Sequence, residues 1–272
     1  MDVLDQATFK VPSNSDCGGE SPGWLWYVIH PELRRPFRRI GDIQFTRNEA
    51  FMLYSMSEIR EHLYCAVVCD ALDQVGLRNQ SPRLSLPLQT SAKHLTNQLL
   101  VGRCRTTLWA DMFHEDPSPY ELELQAVDAC EPDDVLIAAA GGSMRSGIWG
   151  ELLTTAAKNR GAIGAIVDGA VRDVDKMISM DFPVYARGRC LYDSLHRQRV
   201  IDNDVEVQID GVVFTPGDLV FADSDGIVVV PKRVEADVLK RAFDKVHGEN
   251  QVRDAIRNGL GAVETFKKFG IL

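Results

Sequence analysis

Two short segments of the chain place charged residues where a helix is predicted to begin. Gly150-Glu151 stands at the predicted start of a helix, and Arg172-Asp173 follows after twenty intervening residues. Two carboxylates on rigid elements suit a hard divalent cation such as Mg²⁺ or Mn²⁺, with water completing the coordination shell. A planar guanidinium suits a carboxylate. These residue types therefore favour a site that holds a metal ion together with an anion.

The predicted helix after Gly150 adds a second feature that suits an anion. The first-turn amides of Leu152 and Leu153 are expected to point outward at the positive end of the helix dipole. A metal ion, these amides and Arg172 would together form a pocket for a 2-oxo acid. Arg145 lies in the glycine loop just before. It could hold the far carboxylate of a dicarboxylic substrate, although an ordinary strand-to-helix loop is an equally open interpretation.

A pocket of this kind favours one class of reaction. When a bond beta to the ketone of a 2-oxo acid breaks, an enolate forms, and a chelated Mg²⁺ stabilises its charge. Retro-aldol cleavage and oxaloacetate decarboxylation both pass through that enolate. Spacing alone leaves a structural alternative open. Arg172-Asp173 would then be an ion pair at a helix start, and Glu151 a partner of the helix dipole.

The elements that must position these residues alternate between apolar strands and helices. Strands are predicted over 135–139, 162–167 and 183–186, with helices over 149–160 and 172–180 between them. Asp168-Gly169 is predicted to be a turn after the second strand. In such a parallel sheet the loops at the carboxyl ends of neighbouring strands converge on one crevice. Glu151, Arg172 and Asp173 are therefore expected to meet.

The flanking regions predict an α/β fold with a mixed sheet. The additional predicted elements are a helix over 48–75, a strand over 98–106, a helix over 119–129, strands over 205–209, 212–214, 219–222 and 226–230, and a long helix after Pro231. Asp210-Gly211 is a hairpin signal. We predict three regions: an N-terminal arm (1–47), a catalytic domain (48–248) and a C-terminal helical tail (249–272).

Charge and composition exclude several classes of partner. The 272 residues carry 39 acidic and 30 basic side chains, a net charge of −9, without a basic run that would suit nucleic acid or an anionic membrane. No apolar run is long enough to span a bilayer, and no secretory signal is visible. The six cysteines are scattered without a CxxC pair. We therefore expect reduced core thiols and a cytoplasmic location.

Several motifs in the same order resemble those of the RraA-like family, which includes the class II 4-hydroxy-4-methyl-2-oxoglutarate / 4-carboxy-4-hydroxy-2-oxoadipate aldolases. The pattern from Gly150-Glu151 to Arg172-Asp173 resembles the family signature. The other matching stretches are Asp70-Ala71-Leu72-Asp73, Asp168-Gly169-Ala170-Val171, Pro216-Gly217-Asp218-Leu219 and Asp225-Gly226-Ile227-Val228-Val229-Val230-Pro231. The resemblance covers about residues 60 to 245, and its motifs specify the family more closely than the substrate.

The resemblance implies a swivelling β/β/α fold and a homotrimer or homohexamer with sites at subunit interfaces. It implies that Asp173 binds the metal and that Arg172 contacts the pyruvyl moiety and polarises its ketone. Glu151 would hold a metal-bound water, at a position where the aldolases carry the shorter Asp. The amides of Leu152 and Leu153, next to Gly150, would receive the substrate carboxylate.

The predicted function is a Mg²⁺-dependent carbon-carbon lyase. It would cleave a 4-hydroxy-2-oxo acid to release pyruvate, and would decarboxylate oxaloacetate through the same enolate. Two alternatives stay open. One is a non-catalytic inhibitor of a ribonuclease, since such proteins belong to the same family but lack the full metal motif. The other is a metal enzyme that acts on another sugar-derived acid.

Overall fold

The structure, a computed structural model, describes residues 54–83 and 85–270. The predicted N-terminal arm (1–47) lies outside the described residues, as do the first six positions of the helix predicted over 48–75. Within the described residues, alternating strands and helices build a mixed sheet with helices packed against it. The predicted fold class, α/β with a mixed sheet, is confirmed.

The helices and strands follow one another along the chain with mostly short connections, the long exception being residues 75–99 between α2 and β1. The α-helices are Met56–His62 (α1), Cys65–Gln74 (α2), Glu121–Asp128 (α3), Glu151–Asn159 (α4), Val174–Ser179 (α5), Glu235–Arg257 (α6) and Ala262–Phe269 (α7). The strands are Leu100–Asp111 (β1), Asp134–Ala139 (β2), Gly147–Trp149 (β3), Gly164–Val171 (β4), Val184–Arg189 (β5), Gln198–Asn203 (β6), Val207–Ile209 (β7), Val212–Phe214 (β8), Leu219–Ala222 (β9) and Ile227–Val230 (β10).

The main sheet has a parallel part and an antiparallel part. Strands β1, β2, β4 and β5 pair parallel in that order, and β3 pairs parallel with the last residues of β4. One edge of the long strand β1 is shared by β9 and β6, which both run antiparallel to it. Strand β10 completes this side by pairing with β9. Crossover helices follow β3 and β4, as expected for parallel neighbours.

Three apolar clusters fill the space around the sheet. One lies between the parallel strands and the helices α3, α4 and α5. A second lies between α1, α2 and α6 and the strands β1, β9 and β10. The third packs the hairpin β7–β8 on the sheet. Asp210 and Gly211 have φ of 48° and 81°, so the predicted Asp-Gly hairpin turn is confirmed.

Two local predictions are corrected by the structure. The helix predicted over 48–75 is interrupted at Leu63 and Tyr64, which are both extended, so α1 and α2 are separate. Asp168 and Gly169 are not a turn but lie inside the buried strand β4. Burial of Asp168 is tolerated because Arg187 on β5 donates to it from Nε at 2.5 Å. Strands β3 and β6 were not predicted.

The C-terminal region is helical, and its main helix begins well before the predicted tail. Helix α6 runs without interruption from Glu235 to Arg257, so the predicted division between 248 and 249 falls inside it. The division of the chain into three regions stays a prediction. None of the described helices combines the length and the apolar character needed to cross a bilayer.

Candidate functional site

Strands β3 and β4 bring the two predicted segments together. They pair in parallel with Trp149 opposite Val171, so Gly150-Glu151 and Arg172-Asp173 leave the same edge of the sheet. The Arg172 backbone N–H donates to the Trp149 carbonyl at 2.9 Å. The expected meeting at the carboxyl ends of parallel strands therefore occurs, and the short strand β3 is the element that produces it.

Asp173 turns its side chain away from its own helix and toward the neighbouring one. It is the N-cap residue of α5, with φ of 54°, but its side chain accepts no capping hydrogen bond from that helix. Its Oδ2 instead lies 3.4 Å from the backbone nitrogen of Glu151 at the start of α4. It also lies 3.8 Å from Nε of Arg172. A left-handed backbone at a non-glycine residue is uncommon and is typical of functional positions.

Two glycines give Arg172 and Asp173 the space that they occupy. A Cβ atom at Gly150 would stand 2.7 Å from Oδ2 of Asp173 and 3.2 Å from Cγ of Arg172. A Cβ at Gly147 would stand 2.9 Å from Cβ of Arg172. Both glycines are therefore required for close approach rather than for an unusual backbone turn.

Arg172 and Asp173 line a cavity of about 210 Å³. Its other lining residues are Val171, Val174, Asp175, Arg189, Cys190 and Leu191. The two charged side chains are 32% and 41% exposed, so both remain open to a ligand. A larger cavity of about 570 Å³ is lined by residues of 81–98, Tyr185 and 223–227, none of which is a predicted site residue.

Glu151, Leu152 and Leu153 lie beside this cavity, at the start of α4, and are not among its lining residues. The carboxylate of Glu151 accepts a hydrogen bond from Nζ of Lys176 on α5 at 2.8 Å. That hydrogen bond and the charge of Glu151 raise the pKa of the exposed Lys176. Leu152 is 76% exposed, whereas Leu153 packs against the core. Their amides belong to the first turn of α4, where a helix has no internal acceptor for them.

Arg145 lies on the same loop as predicted but faces another group of residues. Its Nη1 donates to the Met112 carbonyl at 3.0 Å and lies 3.7 Å from Oδ2 of Asp111. Its guanidinium is 4.3 Å from the centre of the exposed Phe113 ring. The structure therefore does not bring Arg145 to the cavity of Arg172 and Asp173. Its role toward a far carboxylate stays a prediction.

The donor set at this edge fits a hard cation that is only partly held by protein. Among residues 54–83 and 85–270, no three His, Cys, Asp or Glu side chains gather into a metal-binding group. Mg²⁺ and Mn²⁺ do not need such a cage, because one or two carboxylates with water and substrate oxygens suffice. Gly150 leaves Oδ2 of Asp173 the space that a Cβ would fill. Asp173 directly, and Glu151 through water, fit such an ion, whereas a closed zinc site would need more ligands.

Sequence reasoning missed three residues that surround the Arg172 guanidinium. Asp193, in the segment between β5 and β6, lies 2.5 Å from Nη2 of Arg172. The Tyr120 hydroxyl, at the start of α3, donates to Asp193 at 2.6 Å. Glu123, on the next turn of α3, is 8% exposed. No motif or spacing in the sequence links positions 120, 123, 172 and 193, so only their packing could reveal them.

The ionisation of these groups follows from burial and from their neighbours. Burial, and then the charge of Asp193, raise the pKa of Glu123 to about 7, although the charge of Arg172 opposes the shift. Burial opposes ionisation of Asp193 too, but the hydrogen bonds from Tyr120 and the Leu195 N–H and the charge of Arg172 hold its pKa below the ordinary value. Burial and the hydrogen bond to Asp193 raise the pKa of Tyr120 to about 12.

Comparison with known proteins identifies the family. Residues 65–229 match the family described as RraA-like, Aldolase/RraA. A protein of Halalkalibacterium halodurans, provisionally named 4-hydroxy-4-methyl-2-oxoglutarate aldolase, is 33% identical over 73% of this chain and 87% of its own length.

Solved structures agree with that assignment. An uncharacterized protein from Pseudomonas syringae pv. tomato is 27% identical, with a TM-score of 0.66 over 77% of this chain and 91% of its own. Streptomyces coelicolor RraAS2, described as an unusual member of the RNase ES inhibitor RraA protein family, is 29% identical, with a TM-score of 0.62 over 71% of this chain and 92% of its own. Together with the meeting of Glu151, Arg172 and Asp173, these matches establish that the chain belongs to the RraA-like family.

Proposed function

We propose that the protein is a divalent-metal-dependent lyase that cleaves a 4-hydroxy-2-oxo acid and releases pyruvate. The observation that carries the proposal is the position of Arg172 and Asp173 on the wall of one cavity, beside the first turn of α4. A cation, a guanidinium and helix amides at one place suit the adjacent ketone and carboxylate of a 2-oxo acid. Several relatives that are provisionally named as aldolases agree with this class of reaction.

In this proposal Arg172 binds the 2-oxo acid and faces the oxygen of its ketone. The C3–C4 bond breaks, its electron pair becomes the enolate of pyruvate, and the C4 hydroxyl gives its proton to water as C4 becomes a carbonyl. The enolate then takes a proton from water at C3 to give pyruvate, so that no net proton is gained or lost. The fixed positive charge of Arg172 stabilises the enolate oxygen more than the neutral ketone, which lowers the barrier.

The remaining residues hold the substrate and the cation. The amides of Leu152 and Leu153, next to Gly150, donate hydrogen bonds to the substrate carboxylate at the positive end of α4. Asp173 holds Mg²⁺ or Mn²⁺ directly and Glu151 holds it through water, and the bound ion supplies electrophilic stabilisation of the developing negative charge. Oxaloacetate would lose carbon dioxide in the same pocket, because that reaction leaves the same enolate.

The proposal includes an assembly of identical subunits. Two apolar side chains beside the cavity are strongly exposed, namely Leu191 at 93% and Tyr192 at 63%. A homotrimer or homohexamer with its sites between subunits would cover them, and light scattering of the purified protein measures that state. We place the protein in the cytoplasm as part of the same proposal.

A second candidate function is a non-catalytic regulator that binds a ribonuclease. The exposed Leu191 and Tyr192 favour it, because apolar side chains that stand in solvent beside a polar cavity suit a protein partner. The likeness to RraAS2 points in the same direction. Such a protein would bind its partner equally well without Arg172 or Asp173, whereas the lyase needs both.

The deciding experiment follows pyruvate release from a panel of 4-hydroxy-2-oxo acids, sugar-derived 2-oxo acids and oxaloacetate, with Mg²⁺ and with EDTA. We expect turnover that EDTA abolishes and added Mg²⁺ restores. Asp173→Asn should lower kcat about a thousandfold while thermal unfolding is unchanged, since a catalytic cation contributes several kcal/mol. Asp128→Asn, at an exposed ion pair with Arg160, is the matched control. Full activity of Asp173→Asn would refute the metal assignment. If none of the substrates in the panel yielded pyruvate, the lyase proposal would be refuted.

A further inference from the structure

The guanidinium of Arg172 is held from one side by a residue that the proposed function does not use. Nη2 of Arg172 lies 2.5 Å from Oδ2 of Asp193. The other oxygen of Asp193 accepts two hydrogen bonds, from the Tyr120 hydroxyl at 2.6 Å and from the Leu195 N–H at 2.8 Å. Both oxygens of Asp193 are therefore engaged, and its carboxylate has one orientation.

The aliphatic stem of Arg172 is fixed from the opposite side. Gly147 and Gly150 pass so close to it that a Cβ at either position would stand 2.9 Å or 3.2 Å from its carbons. The stem of Arg172 packs against two glycines and its Nη2 atom is held by Asp193, so the guanidinium has little freedom to rotate. An arginine has five N–H donors, so most of them remain for a ligand in the cavity.

Tyr120 is itself held in an uncommon conformation. It precedes α3 with φ of 67°, a left-handed backbone that bulky residues rarely adopt. In this position its hydroxyl reaches Asp193, which is 73 residues away in sequence. One turn further on, α3 buries Glu123, whose charged neighbours are Asp193 and Arg172. Three separate segments, at α3, β4 and the β5–β6 connection, thus converge on one guanidinium.

An exposed ion pair by itself would explain little. Pairs on protein surfaces contribute little to stability, and Arg160–Asp128 at 3.1 Å is one of them in this protein. The pair of Arg172 and Asp193 differs because it is backed by Tyr120 and stands at the wall of the candidate cavity. This geometry suits a device that orients a binding group before the ligand arrives.

We propose that Asp193 is the positioning residue of Arg172 and that Tyr120 holds Asp193 in place. The inference rests on the proposed function in one respect, namely that Arg172 is the group that meets the 2-oxo acid. Asp193 and Tyr120 touch neither the substrate nor the cation. They set the direction in which the guanidinium points into the cavity, and so the stabilisation that it gives to the enolate.

The test compares Asp193→Asn and Tyr120→Phe with Asp128→Asn as the matched control. An Asn amide presents a donor either to Arg172 or to the Leu195 N–H, so one contact is lost. We expect Asp193→Asn to lower kcat about tenfold or more with a smaller change in KM, because the orientation matters most in the transition state. Tyr120→Phe should lower kcat about threefold. Asp193→Glu should recover part of the loss, and Asp128→Asn should change nothing.

A double-mutant cycle separates positioning from folding. In the Arg172→Ala background Asp193→Asn should have no further effect on kcat, because the group that it orients is gone. The same fold loss in both backgrounds would overturn the proposal. Circular dichroism of every variant measures whether it is folded, and Tyr120→Phe removes only the hydroxyl that donates to Asp193.

Binding of oxalate, a mimic of the pyruvate enolate, separates this proposal from the lyase itself. Calorimetry with Mg²⁺ should give weaker oxalate binding for Asp193→Asn, and the difference should vanish in the Arg172→Ala background. A wild-type protein that binds oxalate with this coupling but releases no pyruvate would refute the lyase and support the positioning role. Oxalate binding that is indifferent to Asp193, or absent from the wild type, would overturn the positioning role.

Discussion

The two ends of the main sheet are built in opposite ways. At one end, β9 and β10 are buried at every position and pack against α2 and α6. At the other end, β3 and β4 finish in glycine and charged residues, and a left-handed Asp173 stands at the edge of a cavity. The apolar end lowers the free energy of the folded state, whereas the polar end places charged side chains on the wall of a cavity.

The apolar end should be the more sensitive to truncation. Phe221 on β9 is fully buried in the cluster of α2 and α6, so Phe221→Ala should lower the free energy of unfolding by about 3–5 kcal/mol. Leu152→Ala at the polar end should change it by less than about 0.5 kcal/mol, since Leu152 is exposed. Urea unfolding followed by circular dichroism measures both. Equal losses would contradict the contrast between the two ends.

Glu123, the buried acid at the polar end, should lower the free energy of unfolding as pH rises. Glu123 has a pKa of about 7 in the folded protein against an ordinary value of 4.5. Between those values the folded state binds more protons than the unfolded state. The free energy of unfolding therefore falls as pH rises from about 4.5 to about 7, and it levels off above that pH. Glu123→Gln removes the ionisable group, so it should raise the free energy of unfolding by about 3 kcal/mol at pH 8 and by little below pH 4.

A second buried glutamate provides the control for that experiment. Glu235 is as buried as Glu123, but Arg103 donates to both of its oxygens at 2.5 Å and 2.8 Å. Removing its charge weakens both of the hydrogen bonds that Arg103 donates to it in a partly buried place, so Glu235→Gln should destabilise the protein at pH 8. If Glu123→Gln and Glu235→Gln changed the free energy of unfolding in the same direction, the burial of Glu123 without an ion pair would not explain its effect on stability.

The close approach at Gly150 should matter for activity more than for folding. Gly150→Ala would push a methyl group to 2.7 Å from Oδ2 of Asp173, and a misplaced carboxylate should lower kcat about tenfold or more. Gly261→Ala is the matched control, because no atom lies within 4 Å of its Cβ position and its φ is −65°. Steady-state kinetics of pyruvate release measure the effect. Unchanged activity in Gly150→Ala would show that Asp173 can shift without consequence.

The prediction of the fold from sequence succeeded where local signals were strong. The apolar runs of β2, β9 and β10 and the Asp-Gly turn between β7 and β8 were all predicted close to their observed bounds. The prediction was wrong where tertiary contacts outweighed the local sequence signals. The apolar spacing of Ile59, Leu63 and Val67 continues across the break between α1 and α2, because each residue reaches the same core from its own helix. Strand β3 is too short for any periodicity to show.

The residues of the candidate site also divide into those whose position the sequence predicted and those whose position it did not. Glu151, Arg172 and Asp173 were predicted to meet because parallel strands end at a common edge. Their segments do leave the same edge, and the Glu151 backbone nitrogen lies 3.4 Å from Asp173 Oδ2, but the Glu151 carboxylate is bound to Lys176, so its place beside a cation stays a prediction. Arg145 was predicted at the same rim from its place in the chain, but its contacts are with Met112, Asp111 and Phe113. A loop position does not determine the direction of a long side chain.

The amino-acid sequence by itself determined the alternation of strands and helices, the mixed α/β class and the family motifs, because these depend on residue types at fixed short spacings. Only the tertiary structure decided which side chains face the Arg172 guanidinium. Asp193 contacts it, Tyr120 donates to Asp193, and Glu123 is buried close enough to feel both charges. These residues come from segments far apart in the chain, and their convergence follows from how α3 packs on β6 and α4. Burial is a property of that packing, and the shifted pKa of Glu123 is therefore a property of the fold rather than of the residue.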